Sequence, residues 1–128
     1  MPMAKPKIMI VEDDRILAMG LQIQLNNWGY DVPAAVPSGE QALRQAEAME
    51  PDLILMDIQI EGSLDGIETA YLIRQKKRVP IIFLTAYSTR EMIERANTAE
   101  PAAYLIKPYD DRELRAAIER ALKESRGG

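Results

Sequence analysis

Neither cysteine nor histidine occurs anywhere in the 128 residues. The first absence excludes disulfides, thiolate metal sites and thiol catalysis. The second removes the commonest general base, the usual zinc ligand and any phosphohistidine role. Chemistry must therefore rest on carboxylates, hydroxyls, lysine and backbone. Glycine-rich phosphate loops are missing as well: no GxxxxGKS/T or GxGxxG run occurs, which argues against ATP as a direct substrate. No apolar stretch reaches the roughly 20 residues of a membrane span, and the N-terminus has no signal-peptide apolar core. A cytoplasmic location without membrane contact is expected. Charge of one sign is scarcely in excess: 16 basic against 20 acidic side chains give −4. That balance suits solubility and offers no basic stripe for nucleic acid. Lys76, Lys77 and Arg78 are the only tight basic run and read as a solvated helix end.

What is present is enough for one domain, able to bury its own core without staples. Residues 1–6 form a polar, proline-containing lead-in, 7–124 the domain and 125–128 a tail. Lys7–Val11 is a short apolar run, read as a buried strand. Asp14 is expected to cap the helix that follows, with Leu17, Leu21, Leu25 and Trp28 near one face and Gly29 closing it. Tyr30–Val36 is a weaker strand, placed at an edge by Pro33. Ser38 with Gln41 resembles a capping box opening a helix with Ala42, Leu43, Ala46 and Met49 inward. Leu53–Met56 is the most apolar strand and stops at Asp57. After a loop, Asp65 with Glu68 makes another box, and Ile67, Ala70 and Tyr71 give that helix its apolar face. Pro80–Leu84 is a strand; Ser88 with Glu91 caps the next helix, carrying Met92 and Ala96. Ala102–Ile106 is the last strand. Asp110 with Glu113 caps a final helix striped by Leu114, Ala117, Ile118, Ala121 and Leu122.

The order is strand then helix, five times over. Continuous apolar strands fit a parallel sheet covered on both faces, hence an α/β three-layer sandwich. Five such units favour the flavodoxin-like order 2-1-3-4-5, whose crevice lies beyond the C-terminal ends of strands 1 and 3. The residues just past the strand ends are Glu12 and Asp13, Asp57, Thr85 and Lys107. Each alone has an ordinary reading: a cap, a turn residue, a bonded β-former, a surface lysine. Together they make an oxygen-rich site in which three carboxylates repel one another unless a cation joins them. Such a donor set suits Mg2+. Asp13 and Asp57 are expected as direct ligands, Glu12 through water, with a carbonyl of the Ile58–Gln59 loop added. Asp57 is the expected nucleophile toward phosphorus. Lys107 pairs with that carboxylate and then with a phosphoryl oxygen, and Thr85 donates its hydroxyl to another.

These residues resemble the response-regulator receiver domain of two-component signalling. The matching stretches are KIMIVEDD (7–14), PDLILMDIQIEGSLDGIETA (51–70), PIIFLTAY (80–87) and AAYLIKPYDDRELRAAIERAL (102–122). With the helices between them they cover nearly the whole chain. The resemblance implies that Glu12, Asp13, Asp57 and the carbonyl of Gln59 bind Mg2+, that Asp57 is phosphorylated, and that Thr85 and Lys107 assist. It implies that Pro108 shapes its loop through a cis bond and that Tyr104 is a rotameric switch. Gln59 and Tyr87, two past Asp57 and Thr85, fall where hydrolysis of the acyl phosphate is tuned, and a bulky Tyr87 is expected to restrict water. The chain departs from the pattern in Ile60–Gly66, a loop one residue longer and without proline, in Ala103 for a frequent glycine, and in Tyr109 for phenylalanine.

The implied action is a population shift. Phosphorylation adds charge, Thr85 moves toward it, Tyr104 turns inward, and the face of the fourth helix, fifth strand and fifth helix changes. The implied partners are a sensor histidine kinase or histidine phosphotransfer protein and a downstream protein. No nucleic acid is expected, and the state is a monomer or weak dimer. Three rivals remain. A pseudo-receiver would be an interaction module without turnover. A Mg2+-dependent aspartyl phosphohydrolase needs a further acid/base carboxylate, where Gln59 stands. A flavin carrier needs a phosphate loop where Glu12-Asp13-Asp14 lies.

Overall fold

The computed structural model describes residues 4–127. The first three residues of the expected lead-in and the last of the expected tail lie outside it. Five strands and five helices alternate: β1 (Lys7–Val11), α1 (Arg15–Asn27), β2 (Asp31–Val36), α2 (Gly39–Met49), β3 (Leu53–Met56), α3 (Gly66–Lys76), β4 (Ile81–Thr85), α4 (Arg90–Asn97), β5 (Ala103–Ile106) and α5 (Asp111–Gly127). All strand pairs are parallel and the order is β2-β1-β3-β4-β5, the flavodoxin-like order expected. Pro33 lies in β2, an edge strand, where its missing N–H costs least.

The continuous apolar runs follow from a sheet covered on both sides. Met9, Val11, Ile54, Met56, Ile81 and Phe83 point to a layer holding Ala42, Ala46, Ile67, Ala70, Ile73 and Ala96 of α2, α3 and α4. Their neighbours Ile8, Ile10, Leu53, Leu55, Ile82 and Leu84 meet Ala18, Leu25, Leu114, Ile118, Ala121 and Leu122 of α1 and α5. Full burial of one such side chain contributes roughly 1.5–3 kcal/mol.

The caps follow the sequence with exceptions. Asp14 accepts from the amides of Ile16 and Leu17, and Gly29, at φ +98°, follows the end of α1. Asp65 and Glu68 form the reciprocal box, as do Asp110 and Glu113. At Ser38 only the forward bond, from the Gln41 amide, is made among the described residues. The cap of α4 is Thr89, not Ser88: its hydroxyl accepts from the Met92 amide, and Ser88 stands one residue outside the helix. Two inward assignments are also corrected. Leu17 is exposed and Ala18 takes its place under α1; Tyr71 is exposed and Ile73 completes the inner stripe of α3. In both cases a large side chain sits on the flank of the stripe, where the helical period admits it but the sheet does not cover it.

Candidate functional site

Backbone bonds beyond the strand ends carry the polar residues into place. The Glu12 amide donates to the Val36 carbonyl at 2.9 Å, Asp57 to Val11 at 3.0 Å, and Lys107 to Thr85 at 2.8 Å. Each residue thus stays on the sheet's hydrogen-bonding grid while its side chain leaves the core. Glu12, Asp13, Asp57, Gln59, Thr85, Tyr87 and Lys107 line one cleft of about 320 Å³ beyond the C-terminal ends of β1, β3 and β4. The expected convergence is therefore observed, at the point where the strand order reverses.

Lys107 is the centre of charge. Its Nζ donates to Asp57 Oδ2 at 3.0 Å and to Glu12 Oε1 at 3.2 Å. Both carboxylates are buried, while the lysine side chain remains 29% exposed. Burial pushes the Glu12 pKa up, and repulsion from Asp57 adds to this; the Asp14 amide and Lys107 oppose it without reversing it. Burial pushes the Lys107 pKa down, yet its bonds and proximity to Asp57 and Glu12 outweigh that and leave it raised. The ammonium is thus held charged where the two carboxylates need it.

Asp57 Oδ1 accepts from the Gln59 amide at 3.1 Å, so both of its oxygens have partners. Thr85 is buried, its hydroxyl accepting from the Tyr87 amide at 3.2 Å. The Tyr87 hydroxyl donates to Gln59 Oε1 at 3.2 Å. Tyr104 packs edge-on against Phe83 and donates its hydroxyl to the Tyr87 carbonyl at 2.9 Å. Burial raises its pKa. The Lys107–Pro108 bond is cis.

Among the described residues no group of three or more carboxylates is arranged to hold a metal. The ammonium of Lys107 lies between Glu12 and Asp57 and supplies a counter-charge to both. The donor set nonetheless fits Mg2+, which uses one or two carboxylates and retains several waters. Asp13 and Asp57 line the same cleft with Gln59. Two groups that bind the connection between β3 and α3 escaped the sequence reading. Arg95 of α4 reaches the Asp65 cap at 2.7 Å, and Glu40 binds the loop between β3 and α3. An acidic residue in a helix's first turn was the available signal for Glu40.

Fold and cleft define a doubly wound α/β protein with a lysine-bridged acidic site at its switch point. The sequence model of the response regulator receiver domain matches residues 8–119. The chain belongs to that family. It is 38% identical over 120 residues to the transcriptional regulatory protein PdtaR of Mycobacterium tuberculosis, covering 94% of this chain and 58% of that one. It is 38% identical over 122 residues to the alkaline phosphatase synthesis transcriptional regulatory protein PhoP of Bacillus subtilis, covering 93% and 49%. The chain thus spans about half the length of these curated relatives. Among solved structures, the signal receiver domain of a modulated diguanylate cyclase from Desulfovibrio desulfuricans superposes with a TM-score of 0.89 at 40% identity, covering 96% of this chain and 98% of that one. No helix among the described residues is long and apolar enough to cross a membrane.

Proposed function

We propose that this protein is a phosphoacceptor switch in which Asp57 receives a phosphoryl group from a phosphohistidine of a sensor histidine kinase or phosphotransfer protein. The acting unit is assigned to residues 7–124, with 1–6 and 125–128 outside it, working in the cytoplasm as a monomer or weak dimer. One observation carries the reading: Lys107 bridges a buried Asp57 and Glu12 in a cleft that Thr85 also lines. An oxygen of Asp57 forms a bond to phosphorus as the donor's P–N bond breaks, and the electron pair of that bond goes to the imidazole nitrogen. Asp13, Asp57 and the Gln59 carbonyl, with Glu12 through water, are the groups that would hold Mg2+. When bound, the ion supplies neutralisation of charge on the transferring oxygens. Lys107 exchanges its bond to the Asp57 carboxylate for one to a phosphoryl oxygen, so its charge is never left unpaired. Thr85 gives up the Tyr87 amide as its hydroxyl turns to another phosphoryl oxygen.

That movement is the route outward. The Tyr87 segment carries the carbonyl on which Tyr104 rests, so Thr85, Tyr87 and Tyr104 shift together. The changed face comprises α4, β5 and α5, and a downstream protein reads it. A phosphohydrolase role is disfavoured by Gln59, whose amide and side chain are committed to Asp57 and Tyr87 and supply no carboxylate.

The test is intact mass after exposure to acetyl phosphate with Mg2+, for wild type and Asp57→Asn. A gain of one phosphoryl group in the wild type alone is expected. No gain in wild type, or an equal gain in the variant, refutes the assignment.

A further inference from the structure

The loop between β3 and α3 is tied down by contacts that the phosphoacceptor reading does not use. The Glu61 amide donates to the Pro37 carbonyl at 3.2 Å, forming an isolated parallel bridge between Ser38 and Glu61. Glu40, in the first turn of α2, accepts through Oε1 from the Leu64 amide and the Ser63 hydroxyl, both at 3.3 Å. Gly62, at φ +93°, lies so close to the other oxygen of Glu40 that a Cβ there would overlap it. At the base of the loop the Gly66 amide donates to the Ile58 carbonyl at 2.7 Å. A Cβ on Gly66 would collide with the backbone of Asp57 and Ile58.

Glu40 is half-buried in the first turn of α2. Among the described residues it has no Lys or Arg within ion-pair distance. Its partners are instead a loop amide and a loop hydroxyl. A carboxylate that accepts a backbone N–H makes a charge-assisted bond, stronger than a neutral one. Gly62 has the one side chain, a hydrogen, that allows the approach.

We propose that Glu40 is a positioning residue for the Asp57 cleft. By gripping the returning limb of the loop at Ser63 and Leu64, it fixes the path that starts at Ile58 and Gln59. The Gln59 amide, bonded to Asp57 Oδ1, stands at the start of that path, and Gln59 belongs to the set assigned to Mg2+. Without the grip, the loop keeps the Glu61 bridge, the core packing of Ile60 and the anchors at Asp65 and Gly66, but its Ser63–Leu64 limb is released and Gln59 samples a wider range. This inference rests on the phosphoacceptor reading and extends it to a residue on another element.

The experiment titrates Mg2+ calorimetrically into wild type, Glu40→Ala and Glu40→Gln. Amide hydrogen exchange at Glu61 and Leu64 is followed in the metal-free proteins. Loss of a residue that orients a ligand lowers metal affinity by about tenfold at the mild end of the known range, and that loss is expected for Glu40→Ala. Protection at the Leu64 amide should fall in the same variant, while the Glu61 amide, bonded to Pro37, and the β3 amides keep theirs. Glu40→Gln retains a carbonyl acceptor but makes neutral bonds, and should fall between Glu40→Ala and wild type in both readouts. Wild-type affinity in Glu40→Ala overturns the inference. Equal weakening by both variants also overturns it, because charge rather than the grip would then be the link. Loss of protection throughout the sheet in Glu40→Ala overturns it too, since the role would be general stability. Failure of wild type to bind Mg2+ strikes the phosphoacceptor reading itself, and the proposal with it.

Discussion

β3 and β5 are both four-residue strands of one sheet, yet they are held very differently. β3 is hydrogen-bonded on both sides, by β1 and β4, and every one of its residues is buried. β5 has β4 alone beside it, none of its residues is fully buried, and Ile106 is 40% exposed. The first ends at Asp57, the proposed phosphoacceptor; the second carries Tyr104, the proposed switch. A nucleophile gains from a support that cannot shift, because misplacement by a fraction of an ångström weakens attack. A switch needs the reverse, an element whose two arrangements differ by little in free energy. The sheet supplies both by grading its packing from centre to edge.

The largest test of that contrast is on stability. Ile54 is completely buried on the face covered by α2, α3 and α4. Ile54→Ala should cost about 2–5 kcal/mol, through lost transfer energy and an unfilled cavity. Ile106→Ala, at an exposed position, should stay within about 0.5 kcal/mol of wild type. Urea midpoints at unchanged slope measure both. Similar losses at the two positions would break the comparison, because β5 would then be as firmly held as β3.

Next in size is the link between the strands. Thr85 ends β4, the strand between β3 and β5, and its hydroxyl meets the Tyr87 amide. Thr85→Ala keeps the fold, since the residue is small and its backbone remains in the ladder. It removes the hydroxyl proposed to answer the phosphoryl oxygen. The gain in affinity for a partner on the α4–β5–α5 face upon phosphorylation, about 1–3 kcal/mol for ordinary coupling, should vanish. A full gain in the variant would mean that the signal reaches β5 by another route.

The same grading explains what could be read from the residues in order. β1, β3 and β4 are legible because burial on both faces leaves unbroken apolar runs, and the polar residue that ends each run marks the cleft. The sheet order came from counting five strand–helix units, and the cleft followed from that order. Helix ends were legible where one residue type dominates, as at Asp65 with Glu68, and failed where neighbours compete. Ser88 and Thr89 offer the same hydroxyl chemistry, and only the packed position of α4 decides between them. Leu17 and Tyr71 fit a helical period but not the space under it. The Lys107–Asp57 pair, 50 positions apart, was legible once both residues were placed at one sheet edge; the second arm of the bridge, to Glu12 95 positions away, was not, because no local pattern joins them. Glu40 escaped for the same reason, its partners lying more than twenty residues downstream.

The smallest expected effect concerns Tyr87, which touches both strands' residues at once. Its hydroxyl donates to Gln59, two past the end of the β3 site, and its carbonyl accepts from Tyr104 of β5. The side chain lines the same cleft as Asp57. Two properties can slow hydrolysis of the acyl phosphate: the bulk of the ring, and the bond that holds Gln59 beside it. One neutral hydrogen bond is worth about 0.5–1.5 kcal/mol net, so its loss changes a rate by about two- to tenfold. Tyr87→Ala removes ring and bond and should shorten the phosphoryl half-life within that range or somewhat beyond. Tyr87→Phe keeps the ring and removes only the hydroxyl, so it should fall between Tyr87→Ala and wild type. A phenylalanine variant equal to wild type assigns the effect to bulk, and one equal to alanine assigns it to the bond. An unchanged half-life in Tyr87→Ala refutes shielding altogether, leaving Tyr87 only its backbone contacts to Thr85 and Tyr104.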